Sequence, residues 1–215
     1  MQARQLEILD AIGIDAYVAR AKAPAEPPAG PDWDTLAATV RDCRLCGLCE
    51  SRTQTVFGTG SRRAKLMVIG EAPGVEEDRQ GEPFVGRAGI LLNSMLRAAG
   101  FERGDVYIAN VLKCRPPQNR DPSLEEAERC LPYLRRQIEL LGPSVILCVG
   151  RVAAQRLLGT ELPLARLRGR IHRLDSVSVI VTYHPAYLLR APGEKRRSWE
   201  DLKLALKELA RGNGA

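Results

Sequence analysis

The sequence predicts an α/β fold, a short and mainly parallel sheet with helices on both faces. Three observations carry this. Four apolar runs, LMVI at 66–69, DVYIANVL at 105–112, SVILCV at 144–149 and VSVIVT at 177–182, are too short for buried helices and too continuous for strands with one wet face. Helical stretches separate them at 86–100, 123–141 and 151–158, and a last one closes the chain at 198–210. Each run stops at a loop, so GEAPG, NVLKCRPPQNR, Gly150 and YHPAYLLR are expected to converge at the carboxyl ends of the strands, where open α/β sheets bind ligands.

Taken in order, residues 2–21 can form an amphipathic helix with Leu6, Ile8, Leu9 and Ile12 at apolar positions, and KAPAEPPAGP at 22–31 cannot continue it. Residues 1–31 are therefore expected to be an accessory helix and linker, and 32–215 one catalytic domain. Asp32 opens the helix DWDTLAATVRDC, which delivers the first cysteines, and Ser123 with Glu126 forms a capping box for the helix at 123–141. No run is long enough to span a membrane, and Arg4, Glu7 and Asp10 interrupt the apolar character of a signal peptide, so a cytosolic protein is expected, and separately a monomer. Lys and Arg outnumber Asp and Glu by 32 to 26, and the pI of about 9.2 favours a polyanionic partner.

The loop after the first run allows a close backbone approach to a ligand at Gly70 and Gly74. It matches neither G-x-x-x-x-G-K-[ST] nor G-x-G-x-x-G, and Glu71 and Glu76 to Asp78 would repel a phosphate. Six cysteines in a cytosolic chain argue for metal binding or core use over disulfides. Cys43, Cys46, Cys114 and Cys130 are the expected ligands of one metal centre, with Cys49 and Cys148 spare. Spacing alone leaves zinc and a redox dithiol open.

GEAPG, PFVG, NVLKCRPPQN and HPAYLL occur in this order, and with the cysteine pairs the chain resembles the family 4, iron–sulfur type uracil-DNA glycosylases from about Cys43 to its C-terminus. The resemblance implies a three-layer α/β/α sandwich, a 4Fe-4S cluster on Cys43, Cys46, Cys114 and Cys130, and a DNA-repair enzyme that excises uracil without a strand-cleaving step. Single- or double-stranded DNA containing uracil would be its partner.

Base excision requires a flipped nucleotide and a pocket that reads its pairing edge. Gly70, Glu71, Ala72, Glu77, Phe84, Asn110 and His184 are the expected uracil-binding residues. Phe84 offers a stacking face, and the Asn110 amide can donate to the C4 carbonyl and accept from the ring N–H. His184 is the expected donor to the C2 carbonyl of the leaving anion, aided by backbone amides at Glu71 and Ala72. Ala72 cannot act as a base, so Glu71 and Asn119 are expected to position water. Glu77 resembles the position where the family walls off the C5 side and would reject thymine.

Tyr187, Leu188 and Leu189 are expected to wedge into the duplex from an exposed loop. Arg115, Arg120, Arg168, Arg170, Arg190, Lys195, Arg196 and Arg197 are candidate phosphate contacts, and His172 is expected to be exposed or phosphate-facing. The competing readings are an iron–sulfur redox protein and a DNA-binding protein, both without glycosylase activity. The first leaves Phe84, Asn110 and His184 without a purpose.

Overall fold

The computed structural model describes residues 32–212. The expected N-terminal helix and linker lie outside the described residues.

Helix α1 (Trp33–Arg41) starts at Asp32, whose carboxylate accepts from the Thr35 N–H at 2.8 Å, a side-chain N-cap. A single turn, α2 (Leu48–Ser51), follows. The short strand β1 (Thr59–Gly60) leads to β2 (Leu66–Gly70), then α3 (Val75–Gln80) and α4 (Arg87–Ala98). Next come β3 (Tyr107–Asn110), α5 (Leu124–Leu141), β4 (Val145–Val149), α6 (Arg151–Leu158) and α7 (Leu164–Leu167). Strands β5 (Ile171–Leu174) and β6 (Val177–Thr182), then α8 (Pro185–Arg190) and α9 (Lys195–Gly212), complete the chain.

The sheet order is β1-β3-β2-β4-β6-β5. Its central four strands are parallel and its two edges antiparallel. The predicted runs form the parallel centre, where both faces are covered and alternation is lost. The two edge strands were not foreseen: β1 has two residues, and β5 (IHRL) is half exposed. Alternate residues of each central strand enter different cores. Met67, Ile69, Ile146 and Val181 pack with α5 and α6 on one face, whereas Leu66, Val68, Leu147 and Ile180 pack with α4 and α9 on the other. This is the three-layer sandwich that the pattern implies.

The capping box of α5 is present: Ser123 Oγ accepts from the Glu126 N–H at 3.2 Å, and Glu126 Oε2 accepts from the Ser123 N–H at 2.8 Å. Glu126 also pairs with Arg120, which holds its carboxyl down at about 2. No helix among the described residues is long and apolar enough to cross a membrane.

Candidate active site

Strands β2 and β3 are neighbours, and their register sets Gly70 opposite Asn110 at the carboxyl edge. A Cβ on Gly70 would lie 2.4 Å from Asn110 Oδ1 and 2.5 Å from Phe84 Cζ. Only glycine lets the amide and the ring come this close to the backbone. The result is a narrow slot with an aromatic wall and a hydrogen-bonding end. Asn110 is buried, and its Oδ1 accepts no hydrogen bond within the described chain. Such an orphaned acceptor costs about 1–3 kcal/mol unless a ligand supplies the donor.

The cleft above this slot has a volume of about 530 Å³ and is lined by Glu71, Ala72, Glu77, Phe84, Asn119 and His184, with Tyr187 at its wall. The Glu77 carboxylate accepts from the N–H groups of Gly74 (3.1 Å), Val85 (3.1 Å) and Gly86 (3.0 Å), tying the loop after β2 to the loop that carries Phe84. Its charge is thus already occupied by three backbone donors.

His184 is the N-cap of α8. Its Nδ1 accepts from the Ala186 N–H at 3.1 Å, so the neutral ring carries its proton on Nε2. Burial, with a smaller push from the Arg190 guanidinium, lowers its pKa to about 4. The ring lies 5.7 Å from Phe84, centroid to centroid. His184 is therefore a neutral donor throughout the physiological range.

Glu71 behaves in the opposite way. Burial, reinforced by the nearby Asp121 carboxylate and opposed by Arg151, raises it to about 7. Asp121 and Arg151 form an ion pair at 3.0 Å. Asn119 ends the turn Pro117–Asn119, in which Gln118 and Asn119 are both left-handed (φ 57° and 54°). Asn119 Oδ1 accepts from Arg115 Nε at 2.8 Å.

A second cavity lies between α1, α2, the segment after β3 and α5. Cys43, Cys46, Cys49, Cys114 and Cys130 all line it. Two of the sulfurs already accept N–H donors: Cys130 from the Lys113 backbone at 3.2 Å and Cys114 from Arg52 Nη1 at 3.0 Å. Arg52 also holds the Cys43 carbonyl at 2.8 Å. Among the described residues, no three Cys, His, Asp or Glu side chains converge tightly enough to ligate a single ion. A multi-iron cluster takes each thiolate on a different iron and needs no such convergence. Cys148, buried inside β4 with its thiol pushed to about 12, stands apart from this cavity.

Lys113 connects the two sites. Its wholly buried ammonium donates to the Asn110 carbonyl (2.9 Å), to Gln137 Oε1 (2.6 Å) and to the Phe57 carbonyl (3.3 Å), while its own N–H meets Cys130.

Residues 57–203 match the model of the uracil DNA glycosylase superfamily. A type-4 uracil-DNA glycosylase of Archaeoglobus fulgidus is 45% identical over 178 residues, covering 79% of this chain and 89% of that protein. One from Thermotoga maritima is 44% identical over 159 residues, 73% of this chain and 83% of that protein. A type-5 uracil-DNA glycosylase of Pyrobaculum aerophilum is 31% identical over 147 residues, 60% of this chain and 64% of that protein. The chain belongs to the type-4 uracil-DNA glycosylases.

In this type-4 glycosylase the slot gathers Gly70, Phe84 and Asn110, and the cleft adds Glu71, Ala72, Glu77, Asn119 and His184. Three expectations change. Leu188 is not on an exposed loop: residues 185–190 form α8, and Leu188 is fully buried on its inner face, leaving Tyr187 and Leu189 outside. Arg168 is mostly buried, paired with Asp201 at 2.6 Å and stacked 3.9 Å over the Tyr183 ring, so it supports the histidine segment and does not face solvent. His172 is half-buried, with Nε2 2.7 Å from the Leu167 carbonyl oxygen.

Arg120 and Arg197 pair with Glu126 and Glu194, while Arg170, Arg190, Lys195 and Arg196 make no ion pair among the described residues. Asp121, Lys113 and Arg52 were missed. Nothing in the sequence distinguishes a lysine beside Cys114 that is buried from one that is exposed.

Proposed function

We propose that this chain hydrolyses the N-glycosidic bond of uracil in DNA, leaving an abasic site without cutting the strand. The observation that carries the reading is the orphaned, buried Asn110 Oδ1 at the end of a slot floored by Gly70 and walled by Phe84. Uracil presents an N–H and a C4 carbonyl to an amide. Cytosine presents the reverse pattern and leaves both partners unpaired. The Phe84 ring stacks on the flipped base.

The bond breaks with its electron pair on uracil N1, and negative charge spreads to the C2 oxygen. His184 Nε2–H, neutral at working pH, donates to that oxygen without losing its proton. Water then adds to C1′ of the sugar and gives up a proton, which Glu71 in its ionised form can accept, with Asn119 orienting the water. Glu77 bounds the C5 side of the slot through the loop it fixes, so thymine exclusion is steric. Tyr187 and Leu189, exposed at 39% and 38%, are the residues of α8 placed to hold the gap in the duplex.

A test is excision from a labelled oligonucleotide carrying one uracil, followed by alkali. Strand breaks only at uracil, and only after alkali, support the reading. A cluster-loaded preparation that makes no abasic sites would return it to a redox or binding protein. Because Glu71 titrates near 7, activity should rise from pH 6 to pH 8, as its base form fills. Glu71→Gln should be slower and flat over that range, whereas an unchanged profile would move the base role elsewhere.

Cys43, Cys46, Cys114 and Cys130 would hold the 4Fe-4S cluster, and the N–H donors on Cys114 and Cys130 suit a site of concentrated thiolate charge. Its contribution is a cross-link between the segment before β1, the segment after β3 and α5. Cys114→Ser is expected to lose the brown absorbance and to lower the thermal midpoint by several degrees. Zinc in place of iron on metal analysis of the wild type would overturn the cluster.

A further inference from the structure

Phe84 is one of four non-glycine residues with a left-handed backbone among the described residues, at φ 55°. A bulky residue does not adopt that conformation on its own. Its surroundings hold it there. Arg103, from the 3-10 turn before β3, makes five hydrogen bonds, four of them to the segment 82–84. Nη2 donates to the Pro83 carbonyl at 2.5 Å and to Glu82 Oε1 at 2.8 Å, and Nε reaches the same carboxylate oxygen at 3.2 Å. Nη1 donates to the Phe84 carbonyl at 3.4 Å and to Asn93 Oδ1 on α4 at 3.1 Å.

The carbonyls before and after the Phe84 α-carbon are therefore gripped by one planar guanidinium, whose fork fixes direction as well as distance. From α4, Gly89 closes the grip: a Cβ there would stand 1.8 Å from the Phe84 carbonyl oxygen. Arg103 and Glu82 alone would be an ordinary, partly exposed ion pair of little consequence. The convergence on Pro83 and Phe84 gives the arginine another use.

We infer that Arg103 is a positioning residue for uracil recognition, locking the strained turn that turns the Phe84 ring over Gly70 and toward His184. The inference rests on the reading of Phe84 as the stacking face. It does not involve the cluster. Arg103 is not among the residues that line the cleft.

The test is a double-mutant cycle on a single-uracil oligonucleotide, with inhibition by free uracil measured beside it. Arg103→Met is expected to lower kcat/KM about tenfold or more and to weaken free-uracil inhibition in parallel, because the ring is no longer held in place. Phe84→Leu is expected to lose at least as much. Acting through Phe84, Arg103→Met should add nothing to Phe84→Leu, so the double variant should match Phe84→Leu alone.

Losses that multiply, or an Arg103→Met enzyme with wild-type kinetics and only a lower unfolding midpoint, would overturn the inference while leaving Phe84 as the stacking face. Full activity in Phe84→Leu would remove the stacking reading itself, and the inference with it. Should Arg103→Met not fold, Arg103→Lys keeps the charge beside Glu82 without the fork on the two carbonyls, and the same non-additivity is expected.

Discussion

Asn110→Ala is expected to reduce uracil excision about 10²–10³-fold with the fold intact, since losing two base-edge hydrogen bonds in a desolvated slot is worth about 3–4 kcal/mol. The cause lies in the geometry. Asn110 ends β3 directly across from Gly70, its carbonyl is held by the Lys113 ammonium, and its Oδ1 waits without a donor. Truncation removes both the donor and the acceptor that a uracil edge requires. Because the amide acceptor is unpartnered in the free protein, its removal should not lower the thermal midpoint. That outcome separates a recognition role from a structural one. A variant that still excises uracil at the wild-type rate, or one that loses activity only by unfolding, would remove Asn110 from the reading edge.

His184→Ala is expected to cost a similar factor, about 10²–10³ in kcat, the magnitude of one donor to a developing anion. The loss should fall on kcat more than on KM, because the C2 oxygen carries full charge only as the bond breaks. The protonation state gives a second readout. With a folded pKa of about 4 against an ordinary value of 6.5, His184 stays neutral above pH 5, so it should contribute no titration to the rate between pH 6 and 8. Any slope in that window belongs to Glu71, whose carboxyl titrates near 7.

Stability follows the same sign. Between pH 6.5 and 4 the unfolded chain binds a proton at His184 that the folded chain refuses, so stability contributed by this residue is present above 6.5 and is lost as the pH falls toward 4. Protonation of Nδ1 would also remove the acceptor that caps α8 at Ala186. A rate profile in His184→Ala that flattens between pH 6 and 8 while Glu71 is intact would contradict this division of roles.

Much of the site was legible because strand-end loops must meet. Once LMVI, DVYIANVL, SVILCV and VSVIVT are parallel neighbours, Gly70, Asn110 and His184 necessarily face one another at one edge of the sheet. Cysteine spacing brought Cys43, Cys46, Cys114 and Cys130 into one cavity, and Cys49 lines it too, which spacing could not settle. The errors came where helical periodicity in a short segment was hidden. PAYLLR looked like an exposed apolar loop, yet Pro185 at the first helical position and the His184 cap make it a helix with Leu188 inside. The basic residues divided unpredictably, since an arginine's exposure depends on which acid a distant helix supplies, as Asp201 on α9 does for Arg168.

The sequence by itself determined the sandwich and the order in which its strand-end loops follow one another. Hydrophobic continuity and turn chemistry are local properties, and these features depend on them. Only the tertiary structure decided that Asn110 Oδ1 has no partner, that Glu71 and His184 are driven to opposite sides of their usual pKa values, and that Arg103 holds Phe84. Those depend on burial and on contacts between residues far apart in the chain, and solvent exclusion at a site is fixed by the packed whole.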